Sequence, residues 1–133
     1  MNRQIILASH GNMAVETQKT VEMILGKQEG LHSCSVTETD NLETATEKCR
    51  SLVKSLQAAA DEIYILCDLM GGTPSKAAFV VASERPNTFI ITGFNLGLII
   101  DMLIRSNQSL TTKEWVETGK NMVAALEVPT HTI

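Results

Sequence analysis

Short apolar runs alternate along the chain with longer segments in which apolar residues recur every three or four positions. Residues 5–8 and 63–67 are apolar throughout, which is typical of strands that are buried on both faces. Residues 88–92 and the more polar residues 31–36 have the length and composition of two further strands. The pattern therefore predicts four strands, with the polar one nearer to an edge of the sheet.

The segments between and after these strands predict five helices, because their apolar residues fall on one stripe of a helix. The predicted helices cover residues 13–25, 42–60, 75–83, 96–104 and 112 to about 126. Residues that favour helix ends flank them: Gly26 after the first, Asp40 or Asn41 before the second, Thr73 before the third with Pro74 at its first position, and Thr111 or Thr112 before the fifth. Each predicted strand is thus followed by a helix.

This alternation predicts an α/β fold with an open, doubly wound, mainly parallel sheet, because right-handed crossovers place helices on both faces. We expect the flavodoxin-like strand order 2-1-3-4, in which strands 1 and 3 are neighbours. Residues 128–133 have strand composition but contain Pro129, so they fit only a short extra strand at an edge. Because no linker or repeat interrupts the 133 residues, we expect residues 1–133 to form a single domain.

Composition and charge exclude several classes of protein. The net charge is −4, and no cluster of Lys or Arg is present, which argues against binding to nucleic acid. The longest apolar stretch, residues 96–104, is too short to span a membrane. The 3 cysteines, Cys34, Cys49 and Cys67, are odd in number and widely spaced. They predict free thiols in a reducing compartment, and therefore a cytoplasmic protein.

Two residues with catalytic chemistry follow neighbouring strands of the predicted sheet. His10 follows the first strand and Asp68 follows the third, and the carboxyl ends of parallel strands are where such folds bind ligands. An imidazole can act as a nucleophile at neutral pH, and a carboxylate that accepts a hydrogen bond from one ring nitrogen leaves the other free to attack. Each residue alone is compatible with a turn former, but together they predict a catalytic pair.

A glycine pair precedes the third predicted helix. Gly71 and Gly72 allow the backbone to approach an anion closely, and Thr73 and the helix start offer a hydroxyl and free N–H groups. The pair lacks the Walker and dinucleotide glycine patterns, so by itself it also fits an ordinary turn. Beside His10 and Asp68 it predicts a site for a phosphoryl group, to which Ser9 and residues 93–95 on the same rim add donors.

Other chemistries fit the chain less well. His10, His32 and His131 lack the spacing of metal ligands, and the latter two are expected at the surface. Cys67 falls inside a buried strand, so we expect a structural thiol. A phosphorylated aspartate would need acidic residues after the first strand, and a flavin would need aromatic walls, whereas aromatic residues make up only 4% of the chain. No metal site is therefore predicted.

Five stretches of the chain together resemble the enzyme IIA domain of the mannose-type sugar phosphotransferase systems of bacteria. In order they are ILASHG at 6–11, EMILG at 22–26, LCDLMGGTP at 66–74, ITGFNL at 91–96 and ETGK at 117–120. The resemblance spans the whole chain and leaves no room for a fused IIB domain. It therefore implies a free-standing IIA subunit.

The resemblance implies a mechanism. In this family the phosphocarrier protein HPr passes a phosphoryl group to a histidine of IIA, which falls on His10, and an orienting aspartate falls on Asp68. IIA then phosphorylates the IIB subunit, which phosphorylates a sugar entering through the membrane subunits IIC and IID. No cofactor is implied. Family members are typically homodimers that exchange a short C-terminal strand, for which residues 128–133 are the loose equivalent.

The chain also departs from the family pattern. Met70 replaces an aromatic residue before the glycine pair, Ser75 and Lys76 replace an aromatic–Asn pair, and Gly97 replaces a proline. These positions lie on the rim where partners dock, so the departures concern the choice of partner and not the chemistry of His10 and Asp68. Two alternatives remain open: the phosphotransfer subunit of a dihydroxyacetone kinase, and a regulator that binds according to its phosphorylation.

Overall fold

The computed structural model describes residues 1–130 and has an α/β architecture. The strands are β1 (Arg3–His10), β2 (Leu31–Val36), β3 (Glu62–Cys67) and β4 (Thr88–Thr92), and the helices are α1 (Met13–Leu25), α2 (Leu42–Leu56), α3 (Thr73–Ser83), α4 (Leu96–Ile104) and α5 (Thr112–Asn121). All pairings between strands are parallel, and the order is β2-β1-β3-β4. The predicted fold class and strand order are confirmed.

Side chains alternate between the two faces of the sheet, and each face is covered by its own helices. On one face, Leu7 and Leu66 pack with residues of α1, α4 and α5, among them the fully buried Trp115. On the other face, Ile6 and Ile65 pack with residues of α2 and α3. Because both faces of β1 and β3 are covered, these strands are apolar at nearly every position, as the sequence pattern predicted.

The three cysteines lie on the α2 and α3 face and are buried there as free thiols. Burial raises the pKa of Cys49 and of Cys67 to about 12, because an apolar surrounding disfavours the charged thiolate. The prediction that Cys67 is a structural residue is consistent with this environment. Among the described residues, no helix has the length and apolar character needed to cross a bilayer.

Two predicted helices are longer than the observed ones. Helix α2 ends at Leu56 rather than at residue 60, because the amides of Asp61 and Glu62 donate to the carbonyl of Asn2 and lead the chain into β3. The Arg85 guanidinium binds the carbonyl oxygens of Gln57 and Ala60 after the helix end. Helix α5 ends at Asn121 rather than near residue 126.

The predicted C-terminal strand lies partly outside the described residues. Residues 128–130 are exposed and have no regular secondary structure, and residues 131–133, including His131, are not described. Residues 123–127 between α5 and this segment are exposed as well. The part of the tail that the structure describes therefore adds no strand to the sheet, and the exchange of a C-terminal strand stays a prediction.

Asn95 connects the start of α4 to the end of α5. Its side-chain oxygen accepts from the amide of Leu98 at 2.8 Å, and its side-chain amide donates to the carbonyl of Gly119 at 3.0 Å. The side chain thus caps one helix and ties it to its neighbour.

Asn95→Ala should lower the free energy of unfolding by about 2 kcal/mol, because it removes a helix cap and a second hydrogen bond. Asn95→Asp keeps the capping oxygen and loses only the donor to Gly119, so about half of that loss is expected. Urea denaturation of the three proteins measures both values. Equal losses in the two variants would contradict the capping role.

Candidate functional site

The site lies at the carboxyl edge of β1 and β3. His10 is the last residue of β1, and Asp68 directly follows β3. Ala8 is paired with Cys67 in the register of these strands, and the amide of Asp68 donates to the carbonyl of Ala8 at 3.1 Å. The sheet therefore holds the backbones of the two residues in a fixed relation. This juxtaposition requires the β1–β3 neighbourhood that the strand order predicted.

The carboxylate of Asp68 accepts three N–H groups. Its Oδ2 atom lies 2.9 Å from the backbone nitrogen of His10 and 2.8 Å from Nδ1 of the same residue, and its Oδ1 atom accepts from the amide of Leu69 at 2.9 Å. Burial acts to raise the pKa of Asp68, but the hydrogen bonds from His10 and Leu69 together hold it below its usual value. Asp68 is therefore a carboxylate at neutral pH.

The carboxylate fixes the tautomer of the His10 ring. A carboxylate only accepts hydrogen bonds, so Nδ1 carries the proton and Nε2 keeps its lone pair in the neutral ring. The His10 side chain is 49% exposed, whereas that of Asp68 is only 8% exposed. The pair thus presents a nucleophilic nitrogen at the surface and keeps its counter-charge buried.

Gly72 packs directly against this ring. A Cβ atom built on Gly72 would lie 2.7 Å from Cε1 and 3.2 Å from Nε2 of His10, which is too close for any side chain. The backbone of Gly72 is extended, with φ −80° and ψ 174°, a conformation open to every residue type. The contact with the imidazole is therefore the reason for glycine at this position.

Gly72→Ala should reduce the rate of reaction at His10 by about a hundredfold, because the new methyl group displaces the ring by a fraction of an ångström or more. Rapid-quench measurement of His10 modification would give this rate. Gly30→Ala is a suitable control, since its Cβ would lie 3.2 Å from the carbonyl oxygen of Arg3, at the edge of the sheet opposite His10. Equal rates for Gly72→Ala and wild type would show that the ring position is unimportant.

The start of α3 faces the same ring. Gly71 adopts φ +87°, a left-handed conformation that favours glycine, and Gly72 is the residue that precedes the first turn of the helix. In the part of the chain that the structure describes, the amides of Gly72, Thr73 and Ser75 have no protein acceptor. These N–H groups and the positive end of the helix dipole are suited to bind the oxygens of an anion.

Two sequence predictions at this edge need correction. Thr73 is the first residue of α3 and not its cap, which is Gly72. The structure does not support phosphate binding by Ser9, because its side chain is fully buried in β1 and its Oγ accepts from the amide of Ala14 at 2.7 Å. Ser9 instead stabilises the start of α1.

Residues 93–95 offer fewer donors than predicted. The amides of Gly93 and Phe94 both donate to the carbonyl of Cys67, at 2.9 and 3.2 Å. The side chain of Asn95 is occupied by its contacts with α4 and α5. This loop therefore anchors the end of β3 and leaves anion binding to the loop before α3.

His32, the other histidine among residues 1–130, lies away from the site. Nε2 of His32 contacts Oε1 of Gln4 at 2.7 Å, and burial lowers the pKa of this histidine. Within residues 1–130, no three His, Cys, Asp or Glu side chains lie close enough together to hold a metal ion. His10 and Asp68 with the loop before α3 are thus the reactive groups that the fold brings together.

Ser75 is a site residue that the sequence analysis did not assign to the chemistry. Its Oγ accepts from the amide of Gly71 at 2.9 Å and donates to the carbonyl of Gly72 at 3.0 Å. The signal in the sequence is a serine three residues after a turn glycine, a common spacing for side chains that bond the backbone of a turn.

Comparison with known proteins gives the family. The family profile described as the fructose IIA component of the phosphotransferase system matches residues 4–120. The mannose-specific EIIAB component from Escherichia coli K12 is 28% identical over 131 residues, which cover 96% of this chain and 40% of that protein. The chain thus spans well under half the length of this relative.

Solved structures agree with the sequence matches. A IIA protein associated with the fucose utilization operon of Streptococcus pneumoniae has a TM-score of 0.85 and 26% identity, and the match covers 94% of this chain and 93% of that one. A mannose/sorbose-specific IIA subunit from Enterococcus faecalis has a TM-score of 0.82 and 27% identity, with 99% and 100% covered. The chain therefore belongs to the fructose IIA family of the phosphotransferase system, as a sugar IIA component of the mannose type.

Proposed function

We propose that this chain is a phosphocarrier that accepts a phosphoryl group from HPr on Nε2 of His10 and passes it to a IIB subunit. The observation that carries the proposal is the 2.8 Å contact between Nδ1 of His10 and Asp68, which in the neutral ring directs the lone pair to Nε2, on a half-exposed side chain beside the loop before α3. The membrane subunits IIC and IID then act downstream of IIB. This role places the chain in the cytoplasm, in accord with its free thiols.

In the transfer step, the lone pair of Nε2 attacks the phosphorus of the donor's phosphohistidine. A P–N bond forms on His10 as the P–N bond of the donor breaks, and its electron pair returns to the donor nitrogen. Nδ1 of His10 keeps its proton throughout, so the ring gains positive charge, which the Asp68 carboxylate offsets. The bonds made and broken are of the same kind, so the transfer is reversible.

The loop before α3 binds the phosphoryl oxygens in the proposed transfer. Their negative charge is spread over three atoms in the transition state, and catalysis of such transfers consists mostly of positioning and charge stabilisation. We propose that the amides of Gly72 and Thr73 and the Thr73 hydroxyl bind these oxygens, with Gly71 forming the turn; the closeness of Gly72 to the His10 ring supports this role. Ser9 has no part in this binding because it is buried.

Partners have an apolar surface to dock on beside the site. Met70 and Phe79 are 80% and 71% exposed, and they line one shallow groove together with Lys76. Exposed apolar groups of this size are typical of interaction surfaces. We propose that HPr and IIB use this face, and that the chain is a homodimer as its family members typically are.

The proposal is tested by intact mass spectrometry after incubation with phosphoenolpyruvate, enzyme I and HPr. One added phosphoryl group is expected, and it should be lost in acid and retained in alkali, as a phosphohistidine is. Subsequent addition of a IIB subunit should remove it. No mass gain with carriers that phosphorylate a known IIA protein would reject the proposal, and an acid-stable gain would reject His10 as the acceptor.

A further inference from the structure

Ser75 bridges the turn that lies against the reactive imidazole. Its Oγ accepts a hydrogen bond from the amide of Gly71 and donates one to the carbonyl of Gly72, so one hydroxyl group binds both residues of the glycine pair. Glycine has more backbone freedom than any other residue, and two in succession give a turn with no side chains of its own to hold it. The Ser75 hydroxyl is placed to supply that constraint.

The constraint acts at the atoms that matter for transfer. Gly72 lies so close to the His10 ring that a Cβ atom on it would be 2.7 Å from Cε1 and 3.2 Å from Nε2, and its amide and that of Thr73 are the proposed ligands of the phosphoryl oxygens. A turn that shifts by a fraction of an ångström changes both the ring position and the direction of these amides. Positional errors of about 1 Å can cost a hundredfold in rate.

We propose that Ser75 is a positioning residue for phosphoryl transfer, which holds Gly71 and Gly72 in the arrangement that aligns the His10 ring and the amides of α3. The inference rests on the proposed function. Ser75 gives and takes no proton in the step, because its hydroxyl remains bonded to the Gly72 carbonyl. Its effect is therefore on the alignment of the acceptor and not on the chemistry of the P–N bonds.

Ser83 is a second serine of α3, and its hydroxyl does not bridge the glycine pair. The hydroxyl of Ser83, in the last turn of α3, donates only to the carbonyl of Val80 within its own helix. Ser83 is exposed and its hydrogen bond touches neither the glycine pair nor His10. Ser83→Ala therefore removes a serine hydroxyl from the same helix without affecting the turn, and it serves as the matched control.

The experiment compares wild type, Ser75→Ala, Ser75→Thr and Ser83→Ala in steady-state phosphoryl transfer from phosphorylated HPr through His10 to a IIB subunit. Amide hydrogen exchange of the unphosphorylated proteins is measured by NMR. In Ser75→Ala, kcat should fall about tenfold with KM for HPr within about twofold of wild type. The hydroxyl is bonded to the glycine turn, so its loss disturbs alignment and removes only one oxygen atom from the groove that Ser75 helps to line. The Gly71 amide should exchange at least about tenfold faster, because it loses its acceptor. Ser75→Thr, which keeps a hydroxyl, should restore both values, and Ser83→Ala should change neither.

The outcomes separate this inference from the function on which it rests. If the wild-type protein accepts phosphoryl groups and Ser75→Ala has the same kcat, only the proposed role of Ser75 is overturned. An equal loss in Ser83→Ala, a loss that Ser75→Thr does not repair, or unchanged exchange at Gly71 overturns it as well. Wild type that accepts no phosphoryl group overturns the proposed function itself and the inference with it.

Discussion

His10→Ala is expected to accept no phosphoryl group from HPr under conditions in which the wild-type protein is fully modified. Within residues 1–130, His10 is the imidazole that the fold holds beside Asp68 and the loop before α3, and the variant lacks this nucleophile. The expected effect is complete loss of the mass gain. Intact mass spectrometry of both proteins from the same reaction measures it.

The fold of His10→Ala should persist, which separates chemistry from stability. The side chain is half exposed, and Asp68 keeps two of its three N–H donors because both are backbone amides. We expect circular dichroism and the affinity for unphosphorylated HPr to match wild type closely. His32→Ala is the control, since His32 contacts Gln4 away from the site and should be phosphorylated normally. A full mass gain in His10→Ala would show that another residue is the phosphoryl acceptor.

The pairing of His10 with Asp68 could be predicted from the sequence because it depends on topology alone. Two continuous apolar runs predict buried parallel strands, and the strand order makes their carboxyl ends neighbours. Residues that immediately follow such strands must then meet at one edge. The third N–H donor to Asp68, the amide of Leu69, has no sequence signal because backbone amides occur at every position.

Predictions failed where the same residue type has two common roles. Serine after a strand is typical of both a phosphate ligand and a cap for the next helix, and Ser9 takes the second role because β1 continues through His10 and turns the hydroxyl inward. Threonine and glycine are about equally common as N-caps, and Gly72 rather than Thr73 precedes α3. The contact between Gly72 and the imidazole decides this position, and it joins residues far apart in sequence.

Contacts between distant segments also decide where the helices end. Residues 57–60 are strong helix formers, so local propensity extends α2 through them, but the amide of Asp61 donates to the carbonyl of Asn2 at 2.7 Å and leaves the helical pattern. Such contacts appear only once the chain is folded. The elements themselves were predictable because the apolar periodicity that specifies them is local.

Asp68→Asn is expected to slow phosphoryl transfer to His10 by roughly a thousandfold while leaving the ring in place, by analogy with other histidine nucleophile and base systems that lose their carboxylate. The change removes the negative charge that offsets the charge developing on the ring. It also replaces one carboxylate oxygen of residue 68 by an NH2 group, which cannot accept a hydrogen bond. Rapid-quench transfer from phosphorylated HPr measures the rate.

The geometry predicts which interaction fails in Asp68→Asn. If the amide oxygen of Asn takes the position of Oδ2, the Leu69 amide loses its acceptor. If the amide oxygen takes the position of Oδ1, the NH2 group faces Nδ1 of His10 and favours the tautomer with the proton on Nε2. The second arrangement blocks the nucleophile outright. Nitrogen NMR of the His10 ring distinguishes the two tautomers, so the cause of the slow rate is measurable separately from the rate.

Asp68→Asn should also make the free energy of unfolding depend less on pH in the acid range. The pKa of Asp68 is lower in the folded protein than in the unfolded chain, so its contribution is complete above the ordinary carboxyl pKa of about 4 and is lost as pH falls through the lower folded value. Asn does not titrate, so urea unfolding of Asp68→Asn should depend less on pH in this range.

Asp101→Asn, which breaks an ion pair with Arg105, is the control for transfer and should react at the wild-type rate. Because a purely structural carboxylate would change stability without changing transfer, a wild-type rate in Asp68→Asn would remove Asp68 from the mechanism.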